Sequence, residues 1–209
     1  AFCFGLLIPQ DTQSADGKNK PKAWTVVPQD DADYPFQGEY LGSKINDCHQ
    51  CEPVGLQVVA MGDAKFSAVE YHGGLPGYGW PIGGDRAKYQ GTREGNVLTL
   101  TGEHQQITIK NGHTIIKSIG EYARQVGTAS FVTRQSATLG ACRPCNAIAL
   151  FDGTNTDLLK NGQMTDDGLL KEGTETRDVY GDLRLHLEFR LPYMPNAVGQ
   201  QRANSGIYI

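Results

Sequence analysis

The chain has 209 residues, with 19 Lys and Arg against 23 Asp and Glu, a net charge of −4 and a mean hydropathy of −0.41. The sequence has no run of five like charges, and its longest apolar run is far shorter than the ~20 residues of a membrane-spanning helix. These features exclude a basic nucleic-acid-binding surface and a transmembrane segment. The 26 glycines and 10 prolines indicate a turn-rich protein.

The first residues are typical of the remnant of a signal peptide. The apolar stretch 1–8 is followed directly by the polar stretch 9–22, the order of a secretory hydrophobic region and its cleavage site. We assign 1–22 to a signal-peptide remnant and polar linker. We therefore expect an exported protein, in the periplasm, at the cell surface or outside the cell. The alternative is a first strand or a buried N-terminal arm.

Residues 23–146 predict an all-β domain. Val97-Leu98-Thr99-Leu100-Thr101 alternates apolar and polar side chains, as a half-buried strand does. Asn111-Gly112 between two apolar segments is the strongest short hairpin signal that a sequence gives. Because no long window has the helical period, we predict a β-meander that forms a small barrel or sandwich.

Residues 147–209 predict the first strands of a second β unit. Segment 183–191 alternates strictly, with leucines and Phe189 on one face and polar side chains on the other. The polar face carries Arg184, His186, Glu188 and Arg190. Because a β-sandwich of this kind needs ~100 residues, we expect a truncated sandwich whose missing C-terminal part is its partner.

The cysteines form two CxxC pairs, and a fifth cysteine, Cys3, lies in the predicted signal segment. The pairs are Cys48 with Cys51 and Cys142 with Cys145. In an exported protein we expect structural disulfides. A structural zinc site with four thiolates is the alternative, although the gap between the pairs is much longer than in a compact zinc ribbon.

Two stretches carry candidate chemistry. In the glycine-rich stretch 73–81, Tyr78 and Trp80 could stack on a sugar ring, or they pack on the barrel. Glu188 shares its predicted strand face with one imidazole and two guanidinium groups. That arrangement is either a surface ladder of ion pairs or the wall of a polar cleft.

Four motifs in residues 149–209 occur in a recognisable order. They are Leu150-Phe151-Asp152-Gly153, Asp167-Gly168-Leu169-Leu170, Asp182 to Arg190 with the ending Glu188-Phe189-Arg190, and Asn204-Ser205-Gly206-Ile207-Tyr208. Their order and spacing resemble the start of the 3-keto-disaccharide hydrolase domain, a concanavalin-like jelly-roll sandwich. The upstream β-domain looks like the one that precedes this fold in some exported bacterial members.

The resemblance implies cleavage of glycosides already oxidised at C3, by elimination and hydration with net hydrolysis. It implies that Glu188 is a base or a metal ligand, and we assign substrate contacts to His186, Asn204, Tyr208 and Trp80. Whether the complete active site holds a divalent metal is left open. Most of the pocket would lie beyond Ile209, so we expect the chain alone to be inactive. The rival hypothesis is a non-catalytic carbohydrate-binding or structural cell-surface module.

Overall fold

A computed structural model describes residues 3–5, 21–46, 48–203 and 206–208. It divides into two compact units, one comprising Gln29–Arg134 and the other comprising Ala1–Pro28 with Gln135–Ile209. Strands make up 41% of the structure and helices 3%, which confirms the predicted all-β class. Most of the predicted signal segment lies outside the described residues. No helix in the described part of the chain is long and apolar enough to cross a membrane.

The first unit is a closed barrel of eight antiparallel strands. Its strands are β2 (Gly38–Ile45), β3 (Cys51–Ala60), β4 (Lys65–His72), β7 (Arg86–Glu94), β8 (Val97–Thr101), β9 (Gln105–Lys110), β10 (His113–Ser118) and β11 (Gln125–Val132). Each strand pairs with the next along the chain, and β11 pairs with β2 to close the barrel. Between β4 and β7 the chain leaves the barrel in two short strands, β5 (Leu75–Pro76) and β6 (Gly79–Trp80). The predicted meander and barrel are thereby confirmed.

Local sequence explains the barrel strands. In β8, Leu98 and Leu100 are fully buried and the residues between and beside them are not, as their alternation predicts. The β9–β10 hairpin turns at Asn111 and Gly112, which both have positive φ, at 51° and 74°. That conformation is the one that an Asn-Gly turn favours, because its twist matches the twist of the two strands.

One end of the barrel is closed by a 3₁₀ helix, Tyr34–Phe36, and we call it the helix end. Phe36 packs edge-on against Phe66, with ring centroids 6.0 Å apart. The Tyr40 hydroxyl donates a hydrogen bond to the Phe36 carbonyl over 2.9 Å, and burial raises the pKa of Tyr40 to about 12. An ion pair at 2.7 Å joins Asp33 to Arg93 on β7. These contacts seal an apolar core at this end.

The second unit contains only short paired segments among its described residues. They are β1 (Cys3–Gly5) parallel to β14 (Glu188–Arg190), and β12 (Leu159–Lys160) antiparallel to β13 (Glu175–Thr176). A second 3₁₀ helix spans Gly199–Gln201. Phe151, Leu159 and Leu170 form a small buried cluster.

The predicted nine-residue strand 183–191 is shorter in the structure. Only Glu188–Arg190 is a strand, and Leu183, Phe189 and Leu191 on the predicted core face are exposed. Alternation produces a full strand only where backbone partners and a covering layer exist, and the described residues supply neither along most of this segment. The described part of 147–209 therefore lacks an extended sandwich sheet.

Candidate functional site

Two of the predicted site residues, His186 just before β14 and Glu188 at its first position, contact each other. His186 Nε2 lies 3.1 Å from Glu188 Oε1, and the Gly140 backbone N–H donates to the same oxygen over 2.6 Å. The side chains of residues two apart on an extended segment share a face, which explains the contact between His186 and Glu188. The Glu188 side chain is 11% exposed and that of His186 is 35% exposed, so the imidazole is the more accessible partner.

The contacts of Glu188 favour its ionised form. The hydrogen bond from His186, followed by the one from the Gly140 N–H, lowers the pKa of Glu188. The carboxylate is therefore ionised at neutral pH and is a weak proton acceptor. Since Nε2 faces the carboxylate, Nδ1 is the ring nitrogen of His186 that is left for a reacting partner.

The predicted ladder forms only in part. Arg190 does not pair with Glu188; its guanidinium instead contacts Asp167 Oδ2 at 2.6 Å. Hydrogen bonds from Thr165 and then from Arg190 lower the pKa of Asp167. Arg184 is exposed. Among the described residues, the Glu188 carboxylate contacts the imidazole of His186 and the backbone N–H of Gly140.

A cleft of about 530 Å³ lies beside β14, in the same unit. Its lining consists of Leu187, Phe189, Leu191, Gly199, Gln200, Arg202, Ala203, Gly206 and Ile207. Phe189 belongs to the strand face opposite Glu188, because successive side chains of a strand alternate. The cleft wall is mainly apolar and includes neither Glu188 nor His186, so this cleft is not the polar cleft that was one of the two interpretations of their strand face.

Of the other predicted substrate contacts, the structure describes Tyr208 and Trp80. Tyr208 is 98% exposed, and Asn204 lies outside the described residues. Trp80 belongs to the barrel unit, where its ring packs edge-on against Tyr71 at 5.3 Å. Its indole N–H donates to the Asp85 carbonyl over 3.3 Å. These contacts favour the interpretation of Trp80 as a packing residue of the loop.

The four cysteines outside the signal segment are free and exposed. Cys48 and Cys51 belong to the barrel unit, whereas Cys142 and Cys145 belong to the other unit. Among the residues that the structure describes, neither the predicted disulfides nor a metal-binding cluster of three or more His, Cys, Asp or Glu is formed. At the first pair, Asn46 Oδ1 accepts hydrogen bonds from the Cys48 and Gln50 N–H groups, so the turn is held without a disulfide.

Inside the barrel lies a charged cluster that the sequence interpretation missed. Lys44 Nζ is 2.5 Å from Glu70 Oε1 and 3.1 Å from His72 Nε2. The Tyr89 hydroxyl lies 3.2 Å from Glu70 Oε2 and 3.1 Å from the side-chain oxygen of Gln105. Burial, and then the charge of Glu70, raise the pKa of Tyr89. The signal in the sequence was Glu70 itself, a charged residue at the inward position of β4 that follows Phe66 and Ala68.

Comparisons with protein-family models, with curated proteins and with solved structures each gave no match to this chain.

Proposed function

We propose that this chain is part of an exported carbohydrate-active enzyme that cleaves 3-keto-glycosides. The observation that carries the proposal is the contact of His186 with Glu188 within one of the four ordered motifs, together with the Gly140 N–H that donates to the same carboxylate. An ionised carboxylate that orients an imidazole is a common arrangement for proton abstraction.

The chemistry starts at the proton on C2 of the sugar, which the ketone at C3 acidifies. Glu188 accepts the Nε2 proton of His186 in a hydrogen bond and orients the ring, and Nδ1 of His186 takes the C2 proton. The electrons of the broken C–H bond form an enolate, and the bond to the glycosidic oxygen then breaks. The departing oxygen takes up a proton, and water adds to the resulting double bond, so the net reaction is hydrolysis.

This proposal gives Glu188 a role different from that of a base. Its lowered pKa makes it a poor proton acceptor, whereas its position behind the more exposed imidazole suits it to fix the ring orientation. The developing enolate also needs a hydrogen-bond donor or a cation, for which Asn204 and a divalent metal remain predictions.

The test is to incubate the full-length protein that contains this chain with a 3-keto-disaccharide, with and without divalent metal. We expect sugar release, and a loss of about 10²- to 10⁴-fold in His186→Gln, the usual contribution of a general base. Glu188→Gln should also reduce kcat. Arg184→Gln is the matched control, because Arg184 is exposed on the same segment and should not affect the rate.

Three results would contradict the proposal. The first is no sugar release under any metal condition. The second is tight binding of an unoxidised oligosaccharide without cleavage, which would favour the rival carbohydrate-binding module. If Glu188→Gln changed neither turnover nor binding, a structural role would be the better explanation.

A further inference from the structure

The strand connections at the barrel end opposite the 3₁₀ helix form a surface that we call the loop end. Successive strands of the barrel are antiparallel, so their connections lie at alternate ends. The connections of the loop end are 46–50, 73–85, 102–104 and 119–124, and those of the helix end are 61–64, 95–96 and 111–112. The two longest connections, 73–85 and 119–124, are therefore both at the loop end.

The most exposed large apolar side chains of the barrel unit are concentrated at the loop end. Four of them there are about half exposed or more, namely Ile45 (49%), Ile82 (101%), Ile119 (50%) and Tyr122 (85%). Toward the helix end, Tyr34 and Phe131 are each 43% exposed, and the described residues of the three connections add no exposed large apolar side chain. Tyr78 is also exposed, but on the flank of the barrel, because Leu75 packs that part of its connection against β3.

The two most exposed of these residues lie at the centres of turns. In turn 81–84, whose first carbonyl accepts a hydrogen bond from its last N–H over 2.8 Å, Ile82 is a central residue. In turn 120–123, which is closed in the same way over 3.2 Å, Tyr122 is a central residue. Turns favour Gly, Asn, Asp, Ser and Pro, as the Asn-Gly turn of the β9–β10 hairpin does. Because neither exposed side chain contributes to the core, a contact outside the chain explains both.

The base of the first turn is held by contacts on both sides. The Trp80 ring packs edge-on against Tyr71 at 5.3 Å, and its indole N–H donates to the Asp85 carbonyl. The same carbonyl accepts a hydrogen bond from the His72 N–H at the end of β4 over 3.3 Å. The turn therefore presents Ile82 in a fixed position, and little conformational entropy is lost when a partner covers it.

The charges of the loop end limit what that partner can be. Its described charged side chains are nearly balanced, with the acids Glu52, Asp85, Glu103 and Glu121 and the bases Arg86, Lys117 and Arg124. An anionic membrane or a nucleic acid would be favoured by an excess of positive charge, and the described part of this end lacks one.

The shape of the loop end favours a lipid bilayer over a protein. A stable protein interface needs a continuous and closely complementary surface. The exposed side chains here project instead from separate connections, and a fluid bilayer can bury each of them independently. Isoleucine partitions into the acyl region, and tyrosine is typical of the boundary between lipid and water.

We propose that the loop end binds the surface of a bilayer of zwitterionic lipid, which carries no net charge. Ile82 and Tyr122 insert at the boundary between headgroups and acyl chains, and Ile45 and Ile119 lie at the rim of the contact. This binding surface belongs to the barrel unit and is independent of the function proposed for His186 and Glu188.

The first test is flotation of the whole chain with phosphatidylcholine vesicles, and with vesicles of an equal mixture of phosphatidylcholine and phosphatidylglycerol. We expect binding to phosphatidylcholine and no tighter binding to the mixture. Ile82→Ser should reduce the partition coefficient about tenfold or more, as expected when a fully buried isoleucine is lost. Val179→Ser is the matched control, because Val179 is a 99% exposed aliphatic residue of the other unit, and it should change nothing. Absence of flotation, equal binding of Ile82→Ser, or clearly tighter binding to the mixture would overturn the proposal.

The second test locates the contact by NMR on the same protein with spin-labelled phosphatidylcholine in the vesicles or in small bicelles. We expect broadening of the amide signals of 81–84 and 119–124, and none in the helix-end connections 62–64, 95–96 and 111–112. Broadening at both ends alike would overturn the proposal. Self-association that depends on Ile82 in sedimentation velocity, without binding to lipid, would do so as well and would identify a second copy of the chain as the partner.

Discussion

Removing the charge of Lys44 should destabilise the barrel strongly. In Lys44→Met the carboxylate of Glu70, which is 0% exposed, loses its partner at 2.5 Å and keeps the Tyr89 hydroxyl at 3.2 Å and His72 Nε2 at 3.3 Å. An uncompensated buried charge of this kind costs about 3–5 kcal/mol. The more accessible ion pair of Arg134 with Glu39, whose side chains are 33% and 23% exposed, is the matched control. Arg134→Met should cost at most about 1 kcal/mol, because solvent screens that pair.

The double variant Lys44→Met/Glu70→Leu separates a lost charge from a lost contact. With both charges removed, the Tyr89 hydroxyl keeps Gln105 as its partner. The stability should then return to within about 1 kcal/mol of the original protein, or exceed it. Because the chain has two units, the assay is amide hydrogen exchange of β3 and β4, which reports on the barrel itself.

The expected signature is strong coupling between the two substitutions. Exchange in β3 and β4 should accelerate roughly 10²- to 10⁴-fold in Lys44→Met and return to near the original rate in the double variant. A single variant that costs less than about 1 kcal/mol would refute the reasoning. So would a double variant as unstable as the sum of the two single variants, because the two charges would then not be coupled.

Three further predictions concern the barrel. Gly42→Ala should destabilise the barrel by about 1–3 kcal/mol or more in denaturation experiments, because a Cβ at Gly42 would lie 1.9 Å from the Thr128 carbonyl oxygen. Gly181→Ala is the control and should have no effect, because a Cβ at Gly181 would have nothing within 4 Å. Glu39→Gln should cost up to about 1 kcal/mol at pH 7. The hydrogen bond from Arg134 lowers the folded-state pKa of Glu39. The stabilisation is therefore present above the unfolded pKa of about 4.3 and should be lost as the pH falls through the folded pKa. If Glu39→Gln still destabilised the protein in acid, the ion pair would not be the source of the stabilisation. Trp80→Ala should reduce barrel stability through the lost Tyr71 contact and leave sugar release unchanged, and a loss of release would restore Trp80 as a substrate contact.

The barrel was largely predictable because its signals are local. The Asn111-Gly112 turn sets the pairing of two strands, and the alternation of Leu98 and Leu100 identifies a core face. The contact of His186 with Glu188 was also accessible, since the two residues share a face of the predicted strand.

The features that the sequence did not predict depend on contacts between residues far apart in sequence. The pairing of Lys44 with Glu70 requires the register of β2, β3 and β4, which alternation alone does not give. The Gly140 N–H reaches Glu188 across a long stretch of chain, and no local pattern indicates it. The strand predicted for 183–191 failed for a related reason, because alternation does not reveal whether a partner strand is present.

The most direct test of the proposed function is exchange of the C2 proton. The full-length protein is incubated with a 3-keto-glycoside in D₂O, and deuterium at C2 of the recovered substrate and in the product is measured by mass spectrometry and NMR. The account predicts deuterium at C2 well above the non-enzymatic rate, abolished in His186→Gln and unaffected in Arg184→Gln. Sugar release without deuterium at C2, or equal exchange in His186→Gln, would contradict it.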